Sequence, residues 1–384
     1  MQLPVFDIDF AAFRRDPYPF YGQMHASAPI CHVPQLGATL ITRRDDIFVC
    51  EKNVEVFSSV QPEGLMVRLM GENMMRKDGQ AHALERRQIF PAVSPRTTKD
   101  HWHARFLQIS DAVLDGLALR GKADLVEDYA KPVSGAALAE LTGLCSVSWA
   151  ELDQWSQAMI DGIANYEGNA EVELRCRAAT AAIDEAISEA LAVEARASDP
   201  SLLAVMRSAG MPEENIRHNI KLAISGGQNE PRDAIAGAAH ALLSHPEALA
   251  AIREGRATYL QAFEEYGRWT SPIGMSPRRI ARDHVHAGVS FSVGSRAFLM
   301  FGAANRDGSV FDRPERFDIF RDTSKSIVFG SGPHFCAGAH VARALVAGAA
   351  LPALFERLAG MRLDGDVVYD GWAFRGPVGV PVRW

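Results

Sequence analysis

The run Phe329-Gly330-Ser331-Gly332-Pro333-His334-Phe335-Cys336-Ala337-Gly338 concentrates the chemistry of this chain on one sulfur. Glycines at 330, 332 and 338 let the backbone take conformations closed to other residues and approach a bulky partner closely. The alanine- and leucine-rich residues 337–358 predict a helix that begins directly after the thiol. A sulfur so placed faces unpaired N–H groups and the positive end of a helix dipole, which favour thiolate over thiol. Such a thiolate reads as a metal ligand. Cys31, Cys50, Cys145 and Cys176 lack these surroundings and read as small buried hydrophobes.

The same run matches every defining position of the signature Phe-Gly-x-Gly-x-His-x-Cys-x-Gly, and the chain resembles the cytochrome P450 family. The resemblance extends from about Asp16-Pro17-Tyr18-Pro19 to Arg375-Gly376-Pro377. It implies one cytochrome P450 domain over residues 1–384, mainly α with small peripheral β-sheets. It also implies haem b (iron protoporphyrin IX) as cofactor, with Cys336 as the thiolate ligand of the iron. Phe329, Gly330, His334 and Gly338 then belong to the cofactor-binding loop. The implied reaction is monooxygenation, in which one atom of O2 enters a small apolar or aromatic substrate by hydroxylation or oxidative dealkylation. Electrons would come from a separate ferredoxin- or flavodoxin-type donor with its reductase.

Haem carries two carboxylates that need cationic or N–H partners when partly buried. His82 and Arg86 stand one turn apart in His82-Ala83-Leu84-Glu85-Arg86, and Arg279 opens Arg279-Ile280-Ala281. By themselves these read as surface residues. The resemblance makes them propionate partners, together with His334. Glu265 and Arg268 are spaced i, i+3 on one helical face, an arrangement worth only a few tenths of a kcal/mol when exposed. The resemblance identifies them as the family's Glu-x-x-Arg motif and adds Arg316 as the third member of a structural triad.

Residues 213–243 predict a helix containing Gly226, Gly227, Asn229, Glu230 and Pro231. In the oxygen-binding helix that it resembles, a glycine pair is followed by an acid and a threonine; here those places hold Asn229 and Glu230. Pro231 has no N–H for the carbonyl of Gly227, which predicts a kink. Two readings of Glu230 follow. Either its desolvated carboxyl donates a proton near neutral pH, or it turns away and pairs with Arg232 or another cation. The first also supports an alternative function, a peroxygenase driven by hydrogen peroxide with Glu230 as acid and base. A haem sensor without turnover is a further class. Asn229 cannot titrate. Met66, Met75, Ile224, Met275 and Phe374 are candidates for the substrate pocket, although methionines also fill ordinary cores.

Stepping from these residues to the elements that must hold them, helical periodicity covers residues 99–120, 124–141, 170–197, 213–243 and 259–269. Strand patterns occur at 38–42, 276–281, around 289–293 and at 362–384. Residues 304–331 are rich in Asp, Arg, Pro and Phe without any period. A hydrophobic content of 47% supports a sizeable core, and a net charge of −7 argues against nucleic acid as a partner. Arg86, Arg87, Lys325 and Arg343 are nonetheless positioned to steer an acidic electron donor. Five cysteines at irregular spacing suggest a reducing, cytoplasmic setting. The N-terminus shows no signal-peptide core, and the nearly apolar stretch 344–355 is shorter than the ~20 residues a bilayer requires, so no membrane partner is expected.

Overall fold

Helices carry most of the chain and the strands form small sheets, as the periodicity predicts. The computed structural model describes residues 3–166, 168–193 and 199–384. These fall into two units. The first comprises residues 1–61, 244–336 and 367–378, and the second 62–243, 337–366 and 379–384.

The first unit is built on a five-stranded sheet in the order Ile30–Val33, Ala38–Ile41, Arg296–Leu299, Ser276–Ile280, Phe57–Ser58. Only the pairing of Ala38–Ile41 with Arg296–Leu299 is parallel. Alternation along Ser276–Ile280 buries Arg278 and exposes Arg279, because successive strand residues point to opposite faces. One face of the unit is closed by an aromatic cluster in which the Phe13 ring meets Phe20 and Tyr21 edge-on at 5.5 and 5.7 Å. Met275, one of the candidate pocket residues, is buried in this same cluster, and Phe374 packs against it.

The helix Tyr259–Thr270 begins with a capping box formed by Thr258 and Gln261. It carries Glu265 and Arg268, both fully buried, in a two-pronged ion pair with contacts of 2.7 and 2.8 Å. Arg268 also donates to the carbonyls of Asn305, Pro314 and Arg316, each at 2.9 Å. All five N–H donors of the guanidinium are thereby used. Glu265 Oε1 accepts from the Asp318 amide at 2.9 Å and from Arg321 Nε at 3.2 Å.

The third side chain of the cluster is therefore Arg321, which corrects the assignment to Arg316. Arg316 gives only its carbonyl, while its side chain is 64% exposed and lies 4.0 Å from Glu315. The aperiodic segment 304–331 is held by these backbone bonds to a buried charge pair, in place of secondary structure of its own.

The second unit is a helical assembly with a three-stranded sheet, Lys122–Asp124, Pro381–Arg383 and Arg362–Leu363, at its edge. The expected helix 99–120 appears as a wide π-type turn, Thr98–Trp102, running into His103–Leu117. The expected helix 124–141 likewise becomes Leu125–Ala130 followed by Lys131–Thr142, stopped by Gly143 at φ +87°. The helix expected over 170–197 spans Ala170–Ala192, and residues 194–197 lie outside the described residues.

Downstream of Cys336, Ala337 and Gly338 form a turn, so the helix starts at Ala339, later than the composition suggests. It continues through Val346–Ala350 to Arg357. The run Gly332–Arg357 is long and apolar enough to cross a membrane by length and composition, in contrast to the shorter 344–355 stretch; 61% of its most apolar window is buried inside the protein.

The charge cluster yields a direct test. Arg321→Ala removes one of the two cations on the buried Glu265 carboxylate and should lower stability by about 2 kcal/mol. Arg316→Ala removes only an exposed side chain and should stay within about 0.5 kcal/mol of the parent. Urea unfolding midpoints of the two variants check this difference.

Candidate functional site

In the first unit the turn before Cys336 is shaped by two left-handed glycines, Gly330 at φ +69° and Gly332 at φ +64°. A Cβ on Gly332 would sit 2.9 Å from the Glu51 carbonyl oxygen, and one on Gly330 would sit 3.3 Å from Glu51 Oε1. Only glycine satisfies both the dihedral and the close approach. Gly332–His334 then forms a single 3-10 turn, and the Cys336 amide donates to the Phe329 carbonyl at 2.9 Å. The Phe329 ring lies 6.2 Å from both Phe263 and Phe335.

Cys336 is left exposed at the end of this turn. The other cysteines differ. Cys31, Cys50 and Cys176 are buried, and burial pushes the Cys31 thiol up to about 12 and the Cys176 thiol up to about 11. Those thiols remain protonated and packed, as the sequence suggests. Cys145 departs from that expectation: it is exposed, standing just beyond the Gly143 turn.

Among the described residues no group of three or more His, Cys, Asp or Glu could hold a metal ion. A single exposed sulfur suits a metal that brings its remaining ligands with it in a macrocycle. Donors of this unit suit the carboxylates of such a group: Arg279 is exposed on its strand and His334 is half-buried on the 3-10 turn.

In the second unit the expected kink is a complete break. Helix Glu213–Gly227 ends and helix Asn229–Ser244 begins after Gln228, whose φ is −102°. Pro231 therefore lies in a first helical turn, where its missing N–H has no partner to lose. The break is held open from outside. Ser134 Oγ donates to the Gln228 carbonyl at 2.8 Å and Ser156 Oγ donates to the Ile224 carbonyl at 3.0 Å. A Cβ on Gly227 would come within 2.8 Å of Leu138 Cδ1, whereas one on Gly226 would meet nothing within 4 Å. One glycine permits close packing and the other leaves space.

Arg232, the partner named in one reading of Glu230, makes its hydrogen bonds to other groups. Its Nε donates to Asp233 Oδ1 at 2.8 Å, and Nη1 reaches Asp153 Oδ1 at 3.5 Å and Gln157 Oε1 at 3.4 Å. The guanidinium is committed to that network. Glu230 keeps part of its surface exposed, yet its Oε2 is sealed from solvent with no hydrogen-bond partner. Desolvation, with a smaller contribution from Asp233, pushes the Glu230 carboxyl up to about 7. Asn229 is buried and donates to Gln157 Oε1 at 3.3 Å.

His82 is buried and Arg86 half-buried on the helix Gly79–Val93. Between them Glu85, also buried, accepts from Lys77 Nζ and Asn215 Nδ2 at 2.5 Å each and from Asn219 Nδ2 at 2.8 Å. Asn219 Oδ1 in turn accepts from the Met74 amide at 3.0 Å, so the methionine segment is tied to helix Glu213–Gly227. Met66 is buried, Met75 is 39% exposed and Ile224 is fully buried. Glu51, Glu85 and Arg321 escaped the sequence reading. Each lies in an unremarkable local pattern and acquires its role only from partners distant along the chain.

Comparison with known proteins places these features. Residues 194–349 match the family pattern described as Cytochrome P450. The chain is similar to "Cytochrome P450 107B1" of Saccharopolyspora erythraea, with 30% identity covering 82% of this chain and 78% of that one. It is 27% identical to "Vitamin D(3) 25-hydroxylase" of Pseudonocardia autotrophica, over 88% of this chain and 85% of that one. The fold superposes on the crystal structure of CalO2 with a TM-score of 0.88 at 27% identity, covering 100% of this chain and 99% of that one.

Glu230 should leave a signature in stability. Its folded pKa lies above the ordinary carboxylate value, so the folded protein holds this proton more tightly than the unfolded chain. Its contribution is full in acid and declines as pH rises from the ordinary value to about 7. Glu230→Gln should therefore stabilise the protein more at about pH 8 than at about pH 5, as read from unfolding midpoints at the two pH values.

Proposed function

Since the chain belongs to the cytochrome P450 family and is a haem-dependent monooxygenase, we propose that it oxidises a small apolar or aromatic substrate by hydroxylation or oxidative dealkylation. The observation that carries this reading is the turn that presents Cys336: two left-handed glycines, a closing Cys336-to-Phe329 hydrogen bond and an exposed sulfur. Hydroxylation is supported by the name of the Pseudonocardia relative, a vitamin D3 hydroxylase. The five cysteines, none of them in a disulfide, suit a reducing cytoplasm. A separate acidic ferredoxin- or flavodoxin-type donor suits exposed basic residues such as Lys325 of the first unit.

When bound, haem supplies reductive activation of dioxygen and transfer of one oxygen atom to the substrate. This chain's residues supply the rest. Cys336 would hold the iron through its thiolate and supply electron density to it. In the first unit Arg279 and His334 would offer propionate carboxylates charge-assisted hydrogen bonds, the role that the family resemblance also implies for His82 and Arg86. Beside the broken helix an added Cβ on Gly226 would meet nothing within 4 Å, so that side is unobstructed. Glu230 stands where the family's threonine would be, and its sealed, unpartnered Oε2 can hold a proton at neutral pH and release it locally. Asn229 holds Gln157 and so braces the network around Arg232 without titrating itself.

The same carboxyl favours a second reading, oxidation driven by hydrogen peroxide. An ionised Glu230 can take a proton from one peroxide oxygen and return it to the other, which leaves as water as the O–O bond breaks, while the oxygen atom left behind would be carried by bound haem to the substrate. The two routes need opposite protonation states of one group.

Cys336→Ser should abolish the red-shifted carbon monoxide band of the reduced protein that marks thiolate ligation. A parent protein without that band would overturn the assignment. The pH profile separates the two routes. Turnover with O2 and a donor should fall above about pH 7 as Glu230 loses its proton, and peroxide-driven turnover should rise through the same value. Glu230→Gln should remove both dependences.

A further inference from the structure

Beneath the turn that presents Cys336 lies a buried ion pair for which the family signature has no place. Glu51 ends the helix Arg44–Lys52 and is 2% exposed; Arg278 is 3% exposed on the strand Ser276–Ile280. Ser331, at a variable position of the signature, donates its hydroxyl to Glu51 Oε2 at 2.7 Å. Arg278 Nη2 donates to Glu51 Oε1 at 3.4 Å, and its Nη1 reaches Ser276 Oγ and the Pro277 carbonyl at 2.5 and 2.9 Å. Gly330 and Gly332 flank Ser331 and close on Glu51 from both sides. Three distant segments thus meet on one carboxylate.

We infer that Glu51 is a positioning residue for the Cys336 thiolate, holding the Gly330–Ser331–Gly332 turn through Ser331 and balancing the charge of Arg278 beneath it. The inference rests on Cys336 being the haem ligand and adds to it a residue that touches neither haem nor sulfur. A turn with left-handed glycines does not keep its geometry unaided, because glycine also has the largest freedom to leave it. A hydroxyl bonded to a buried carboxylate removes that freedom. The carboxylate is itself expensive to bury, which explains the guanidinium beside it. Desolvation raises the Glu51 carboxyl while Arg278 and Ser331 oppose that rise, as expected for a buried acid supported by its partners.

The charge pair also has an electrostatic consequence. With Glu51 neutral, Arg278 would leave an uncompensated positive charge under the thiolate loop, weakening the thiolate as a donor and favouring electron uptake at the iron. A purely mechanical brace has no such polarity.

The experiment measures the ferric/ferrous reduction potential and the rate of haem transfer to apomyoglobin for Glu51→Gln, Ser331→Ala and the double variant Glu51→Gln/Arg278→Met. Glutamine keeps an acceptor for Ser331 but removes the charge, so Glu51→Gln should shift the potential upward. The double variant removes both charges and should return it toward the parent value. Ser331→Ala leaves the charges and should speed haem transfer about tenfold or more, a loss of about 1.4 kcal/mol in the barrier. An unshifted potential in Glu51→Gln, or a double variant further from the parent than the single one, would overturn the inference. If Glu51→Gln takes up no haem, the double variant should still do so, having no unpaired buried charge; its failure would equally overturn the inference. The carbon monoxide band of the reduced variants tests Cys336 ligation separately, since that band should persist whatever role Glu51 plays.

Discussion

A thiol that must remain accessible to a metal cannot be fixed by packing around its own sulfur. It has to be fixed by the backbone that leads to it. Cys31, Cys50 and Cys176 show the alternative, in which burial holds the side chain and makes its thiolate inaccessible in energy as well as in space. At Cys336 the burden passes to Gly330–Gly332 and to the Cys336-to-Phe329 hydrogen bond. Two left-handed residues within three positions form a turn that carries information only if something outside locks it. The carboxylate of Glu51 is that lock.

Buried charge serves as the fastener for irregular backbone across the first unit. Arg268 spends all five donors, two on Glu265 and three on carbonyls of the aperiodic segment. Glu51 divides its oxygens between Ser331 and Arg278. In the second unit Glu85 does the same between Lys77 and two asparagines. In each case a charged group satisfies segments that have no ladder of their own, because one carboxylate or guanidinium reaches several strands of chain that a helix or sheet could not join. Such pairs stabilise little in net terms, since desolvation offsets most of the attraction. Their value lies in geometry: an alternative loop conformation would leave the charge buried and alone.

This also explains which parts were legible in the sequence. The Cys336 signature is local and its residues act on one another within ten positions, so it could be read directly. The long helices and the strand at 276–280 were likewise carried by local period. Glu51 meets Ser331 across 280 residues and Arg278 across 227, and no spacing rule links them. Arg316 and Arg321 sit in the same aperiodic stretch with similar neighbours. The choice between them depends on which side chain turns inward, and there Arg316 contributes a carbonyl instead. The pocket candidates were obscured for a related reason. A methionine or phenylalanine that lines a cavity and one that fills a core have the same composition, and Met275 and Phe374 pack with the aromatic cluster of the first unit.

The departure at Asn229 and Glu230 gains its meaning from contrast with those fasteners. Every other deeply placed acid discussed above has a cation or several donors to itself, and Arg232 lies one position beyond Pro231, near enough in sequence to serve Glu230 in the same way. It is instead held by Asp233, Asp153 and Gln157. The helix break supplies the mechanism. With Pro231 in the first turn, the Glu230 Oε2 keeps no hydrogen-bond partner, while Ser134 and Ser156 anchor the carbonyls of Gln228 and Ile224 ahead of it. An acid used only for stability would have been paired. Glu230 instead keeps a sealed and unpartnered oxygen with its carboxyl raised to about 7, and its proposed role in proton exchange rests on that contrast.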